Sequence, residues 1–164
     1  MDEIAPLNLR VATPQDAKAV TGLLTISYTR VLAADYSVAQ LKAMLPSVTV
    51  ANRAMLGSGR YYLVLSGDAA VGCGGWSLRG SAVARLHYFA THPNWLRMGV
   101  GRMVMQACLQ AARRDGARLC DCSATLGAVA FYRSFGFQVA GRGEIRLGRG
   151  MGFPVVEMVL DLQK

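Results

Sequence analysis

The sequence predicts an α+β fold, and three observations carry that expectation. Apolar residues recur at helical spacing as far as Leu56, strand-like runs fill the chain from Tyr61 to Thr91, and one strongly amphipathic helix separates these from the later strands. The segment LNLRVAT reads as a first strand. In TPQDA, Thr13 suits a helix N-cap and Pro14 the first helical position, so a helix starts near Gln15. Its apolar positions Ala19, Val20, Leu23, Leu24 and Ile26 continue loosely to Leu32, and Asp35 and Ser37 break the pattern. SVAQLKAML predicts a second short helix ended by Pro46, and Asn52 to Leu56 a third short turn.

YYLVLS, SGD and AAVGCGGWSL then read as strand, turn and strand, with Gly72, Gly74 and Gly75 marking a bulge or a close backbone approach. AVARLHYFAT is a longer strand that Pro93 ends. In the helix that follows, Val100, Met103, Val104, Ala107, Cys108 and Ala111 share one face, Gly116 stops the pattern, and Arg113 and Arg114 suit the dipole of its last turn. ARLCDCSAT is another strand and GAVAFYRSF a short helix closed by Gly136. FQVAGR and VVEMVLDL are final strands joined through the glycine-rich LGRGMGFP.

At 164 residues and 52% hydrophobic, the chain can bury the core of one domain, residues 1–164, without disulfides or metal. No apolar run approaches the roughly 18 residues of a membrane span, and MDEIAPLNLR is acidic where a signal peptide is basic, so a cytoplasmic protein that engages no membrane is expected. Cys73, Cys108, Cys120 and Cys122 form no CxxC pair and have no histidine pair to complete a zinc shell, which points to buried, reduced thiols. Eighteen Lys and Arg against 10 Asp and Glu give a formal charge of +8, which would draw in nucleic acid, acidic headgroups or a polyphosphorylated small molecule. The arginines are scattered rather than gathered in an arm, and no nucleic-acid signature accompanies the basic and aromatic residues of RYYLVLS and ARLHYF, so no nucleic acid is expected as a partner.

Gly99 and Gly101 open the amphipathic helix. Without a Cβ the backbone can approach a bulky anion, and the first free N–H groups of a helix point at it with about half a positive charge from the dipole. A pyrophosphate fits. The Walker loop is excluded, since no GxxxxGK occurs. A dinucleotide fingerprint fits only in part: Gly99, Gly101 and Asp121 are spaced for it, but Val104 replaces the third small residue and HPNWLRM separates strand from glycines.

FATHPNWLRMGVGRMVM resembles the acetyl-coenzyme A motif of the GNAT superfamily of N-acetyltransferases, and SATLGAVAFYRSFGF resembles that family's following strand, short helix and AxxFYxxxGF signature. The resemblance runs over essentially the whole chain, most strongly from Arg85 to Phe137. It implies a three-layer fold: a mixed, mainly antiparallel sheet of six to seven strands, helices on both faces, and a splayed cleft between the fourth and fifth strands. It further implies transfer of the acetyl group of acetyl-CoA, a co-substrate, to a small-molecule or peptide amine by direct attack in a ternary complex, without metal, by a monomer or homodimer. A coenzyme sensor without turnover and a basic nucleic-acid-binding module are the competing classes.

Residue by residue, the resemblance assigns the pyrophosphate to amides around Arg97, Met98, Gly99, Val100, Gly101 and Arg102, and the pantetheine arm to the strand end Phe89, Ala90 and Thr91. The Phe89 N–H would face the thioester oxygen, where a fixed donor stabilises the developing oxyanion. Tyr132 would donate to the departing thiolate; a phenol near pKa 10 facing a thiol near about 8.5 does so by hydrogen bonding or concerted transfer. The sequence departs from the family pattern at Leu96, where Gln or Arg is usual, at Gly127, where Asn is usual near the coenzyme arm, and at Arg85, where many members carry the glutamate that deprotonates the amine. Arginine cannot act as a base. His87, two residues along the same strand face, is the candidate base, with Asp121, Glu144 and Glu157 as others. Arg85 could instead recognise an acidic group on the acceptor. Tyr28, Tyr36, Trp76 and the LGRGMGF loop are nominated for the acceptor side, and His92, beside Pro93, for a structural role.

Overall fold

The computed structural model describes residues 4–147 and 150–164. Its strands are β1 (Leu7–Val11), β2 (Tyr61–Ser66), β3 (Ala69–Arg79), β4 (Val83–Thr91), β5 (Leu119–Ala124), β6 (Gln138–Leu147) and β7 (Met151–Asp161). Its helices are α1 (Ala17–Val31), α2 (Val38–Val48), α3 (Arg53–Leu56), α4 (Val100–Arg114) and α5 (Val129–Arg133). The strands form one seven-stranded sheet in the order β1-β2-β3-β4-β5-β7-β6, antiparallel throughout except for β4 beside β5. No described helix is long and apolar enough to cross a membrane.

Alternating side chains put a core on each face of the sheet. Tyr62 and Val64 of β2 pack with Val100, Val104 and Cys108 of α4, while Tyr61 and Leu63 pack with Val20, Leu23 and Leu24 of α1. A third cluster joins Leu32, Tyr36 and Met44 to Phe153 and Val155 of β7, seating α2 on the α1 face. The glycines of β3 let α4 sit close: a Cβ on Gly72 would stand 2.1 Å from Val100 Cγ1, and one on Gly74 2.8 Å from Val104 Cγ1.

Two irregularities of β4 shape the site. Its parallel pairing with β5 covers only Val83–Arg85 against Leu119–Asp121, so beyond Arg85 the strands part. On the other side, the pairings Gly75 with His87 and Cys73 with Ala90 leave Tyr88 and Phe89 both opposite Gly74. This is a β-bulge, and Tyr88 takes it up with a φ of 49°. The extra residue switches faces: Ala84 and Leu86 pack toward α4, yet Ala90 packs toward α1, and the Phe89 ring joins the α4 side.

Three expectations are corrected. Helix α2 runs through Pro46 to Val48, because both the amide and the hydroxyl of Thr49 bond Leu45 O at 3.1 and 2.6 Å and hold the last turn. The glycine-rich connection is mostly strand: Gly143 and Gly152 leave room for the carboxylates of Glu157 and Glu144 to lie across them, so the β6–β7 hairpin extends almost to its turn. Gly148 and Arg149, part of the nominated acceptor loop, lie outside the described residues. The buried face of α4 is wider than expected and includes Met105, Leu109 and Ala112, since the helix lies flat across the sheet.

Candidate active site

A cavity of about 880 Å³ occupies the gap between β4 and β5. Its first wall is the start of α4. Gly99 caps this helix at φ 84° with no side-chain cap, and Arg97 is also left-handed at φ 60°. Glycine adopts that conformation freely, whereas arginine holds it at a cost. The first intrahelical bond at this end runs from Met103 N to Gly99 O at 3.1 Å, so the amides of Val100, Gly101 and Arg102 have no helical acceptor. Gly101 admits α5 here: a Cβ would stand 3.1 Å from the Phe131 ring. Arg97, Gly99, Val100, Gly101 and Arg102 line the cavity together with Thr91. Met98, half-exposed, does not.

The second wall is the bulged end of β4. His87, Tyr88, Phe89, Ala90 and Thr91 all line the cavity. Two phenols hold the bulge from the α1 side, Tyr61 donating to Tyr88 O at 2.9 Å and Tyr28 to Phe89 O at 3.0 Å. Burial pushes both phenols far above their ordinary pKa, which keeps them as neutral donors. Tyr28 therefore positions β4 while also lining the cavity.

Tyr132 of α5 closes the cavity. Its ring packs edge-on against Phe89, Phe131 and Phe137, and the residue is 8% exposed. Among the described residues, Trp76 Nε1 alone is a sealed side-chain polar atom without a partner. Among the described residues the Tyr132 hydroxyl has no hydrogen-bond partner either, and since it is not sealed it opens into the cavity it lines. Burial raises its pKa, and the phenol stays protonated. Gly127 lines the same cavity, and the Asp35 carboxylate lies 2.5 Å from where its Cβ would stand, filling the space a larger residue would need.

A second cavity of about 360 Å³ adjoins the first, and Tyr28, nominated for the acceptor side, lines both, as do His87, Tyr88, Ser123 and Thr125 among others. His87 Nε2 lies 2.6 Å from Ser77 Oγ. Burial and, after it, the Arg85 charge lower the His87 pKa, so the imidazole is neutral at pH 7 with a lone pair available. Arg85 lines the second cavity and is already paired: it bonds Asp121 at 3.2 Å and Ser123 Oγ at 2.5 Å, with Glu157 at 4.0 Å. An acidic acceptor would therefore meet Arg85 already paired with carboxylates.

The other nominated bases are also placed elsewhere. Asp121 pairs with Arg79 and Arg85, Glu157 accepts from Ser123 at 2.8 Å, Glu144 lies over Gly152, and none lines either cavity. Trp76 is 1% exposed in the α4-side core beneath the Arg60 guanidinium, away from both cavities. Tyr36 is likewise no acceptor contact. It stacks on Phe153, donates to Pro154 O at 2.7 Å and accepts from Leu126 N at 2.9 Å, tying the α1–α2 connection to the segment before α5. His92 accepts from Asn94 N in the turn after β4. Sequence reasoning missed Asp35, Ser77, Ser123 and the apolar walls of the second cavity, because each arrives through strand register or tertiary packing.

The sequence model of the acetyltransferase (GNAT) family matches residues 27–137. No curated protein matches the chain. Among solved structures, the fold is similar to a GCN5-related N-acetyltransferase from Rhodopseudomonas palustris, with a TM-score of 0.80 at 21% identity over 98% of this chain and 99% of that one. A PaiA N-acetyltransferase from Thermoplasma acidophilum in complex with coenzyme A gives 0.76 at 12% identity over 95% and 99%. The ribosomal-protein-S18-alanine N-acetyltransferase of Escherichia coli gives 0.66 at 14% identity over 96% and 94%.

Proposed function

Because the chain belongs to the acetyltransferase (GNAT) family and is an acyltransferase, we propose that it moves the acetyl group of acetyl-CoA onto a primary amine by direct attack in a ternary complex. One observation carries this reading: a single cavity is lined at one wall by the uncapped amides opening α4 and at another by His87, Phe89 and the unpartnered hydroxyl of Tyr132. The group fits the residues present. Free amides, a helix dipole and a chain charge of +8 suit its diphosphate, and the volume suits an extended thioester arm.

Acetyl-CoA supplies an activated acyl group. The chain supplies the rest. Amides of Gly99 to Arg102, flanked by Arg97 and Met98, hold the diphosphate, and the edge formed by Phe89, Ala90 and Thr91, with Gly127 opposite, orients the arm. The Phe89 N–H stabilises negative charge on the carbonyl oxygen. His87 takes the proton of the attacking amine at Nδ1, with its Nε2–H donating to Ser77 Oγ. The Tyr132 hydroxyl donates a hydrogen bond to the departing sulfur. We place this activity in one cytoplasmic domain, residues 1–164, a monomer or homodimer that needs neither metal nor nucleic acid.

Thiol release from acetyl-CoA over a panel of amines tests the reading, with Tyr132→Phe alongside. Amine-dependent release by the wild type is expected, and a fall of about 100-fold in kcat for the variant with unchanged acetyl-CoA affinity. Its melting temperature should not move, since no protein hydrogen bond is lost. Equal turnover would remove Tyr132 from the reaction.

A further inference from the structure

We propose that the acceptor is a monoamine carried on an uncharged apolar body, bound in the smaller cavity; the inference rests on the acetyl-transfer reading and names the substrate class for it. The cavity of about 360 Å³ lies near the lower end of the range for small-molecule sites, roughly 300–1,000 Å³. Leu32, Met44, Val48, Ile145, Phe153 and Val155 form its apolar walls, delivered by the α1–α2 region on one side and the β6–β7 hairpin on the other. It opens onto the larger cavity at His87, so an amine at that mouth meets the proposed base while its body stays among the aliphatic side chains.

Charge bookkeeping on the neighbouring sheet face decides which bodies are accepted. Arg79, Arg85, Asp121 and Glu157 form one connected network across β3, β4, β5 and β7, two cations against two carboxylates. Ser123 closes it, accepting from Arg85 and donating to Glu157. Among the described residues no carboxylate lines the smaller cavity, so a second ammonium on the acceptor would be desolvated there without a counter-charge. A carboxylate fares no better. Among the described residues, Arg85 is the one Arg or Lys in the wall; it already has its carboxylate partners, and those partners repel another anion. Beside His87, the other polar side chains of the described wall, Tyr28, Ser47, Tyr88, Ser123 and Thr125, are neutral. Polyamines, aminoglycoside-like polycations and free amino acids are therefore disfavoured, and aliphatic or arylalkyl monoamines preferred.

Three amines of one chain length isolate the point: hexylamine, 1,6-diaminohexane and 6-aminohexanoate. The kcat/KM for hexylamine is expected to exceed those of both others by at least about tenfold. Ile145→Glu places a carboxylate in the wall from a partly exposed strand position and should shift preference toward the diamine, whereas Ile145→Gln should not. Calorimetric binding of the same amines in the presence of coenzyme A separates the two readings. Preferred binding of hexylamine without amine-dependent thiol release would uphold the acceptor class and defeat acetyl transfer. Turnover that favours the diamine or the amino acid would overturn the acceptor class and leave acetyl transfer standing. Hexylamine that neither binds nor is acetylated overturns the proposal.

Discussion

His87 shows how one side chain acquires a role from its neighbours. Burial and the Arg85 charge lower its pKa below the ordinary value of 6.5, while Asp121 acts in the opposite sense and Arg79 adds to the lowering. A base works in its unprotonated form, so kcat/KM should rise with pH through this depressed pKa and level off before the amine's own ionisation appears. In Arg85→Gln the cation is gone and Asp121 remains, so the acid limb should move to higher pH; His87→Ala should lose that limb. A limb unmoved in both variants would assign the titration to another group. The histidine itself was legible in the sequence, and so was the arginine at the position where the family pattern has a glutamate as general base. The partners were not. Ser77 reaches His87 through the pairing of β3 with β4, and the three acids nominated as alternative bases lie in the ion network, or over Gly152, through registers that no spacing along the chain encodes.

At the scale of elements, the site depends on how closely α4 sits on β3. Gly72 and Gly74 let the helix approach, Gly99 turns the chain into it, and the bulge at Tyr88 directs Phe89 toward it. Gly72→Ala would place a methyl 2.1 Å from Val100 Cγ1, so the Val100 side chain or the helix start that carries it must shift. We expect a loss of about 1–3 kcal/mol in urea unfolding and a weaker thermal stabilisation by acetyl-CoA than wild type shows. Gly59→Ala, at a left-handed glycine remote from both cavities, serves as the control that loses stability without losing that ligand response. The glycine-opened helix and the glycine-marked hairpin could be read from the sequence because backbone requirements are local. Two features were misread for the opposite reason. The persistence of α2 through Pro46 rests on Thr49, and the long β6–β7 hairpin on acidic side chains lying across glycines of the neighbouring strand.

Over the whole molecule, a sheet with helices on both faces opens in its middle where β4 and β5 part, and both cavities lie at that opening. Its margin is held partly by peripheral ion pairs. Asp16 accepts two hydrogen bonds from Arg10 at 2.8 Å, and that pairing lowers its pKa from 3.8 to about 2. A depressed carboxylate stabilises the fold fully above its unfolded value of 3.8 and loses that contribution as pH falls toward 2. Asp16→Asn should therefore cost about 1 kcal/mol at pH 7, with the gap to wild type closing by pH 2 in parallel melts. The same +8 charge that favours an anionic ligand should make acetyl-CoA binding weaken with salt. The central claim is that main-chain amides opening α4 grip the donor's diphosphate and lay its thioester beside β4. A crystal structure of the protein with acetyl-CoA tests this most directly: diphosphate oxygens are expected within hydrogen-bonding distance of the amides of Val100, Gly101 and Arg102, and the thioester between Phe89 N and the Tyr132 hydroxyl. A diphosphate bound elsewhere, with the β4–β5 opening filled by side chains, would contradict it.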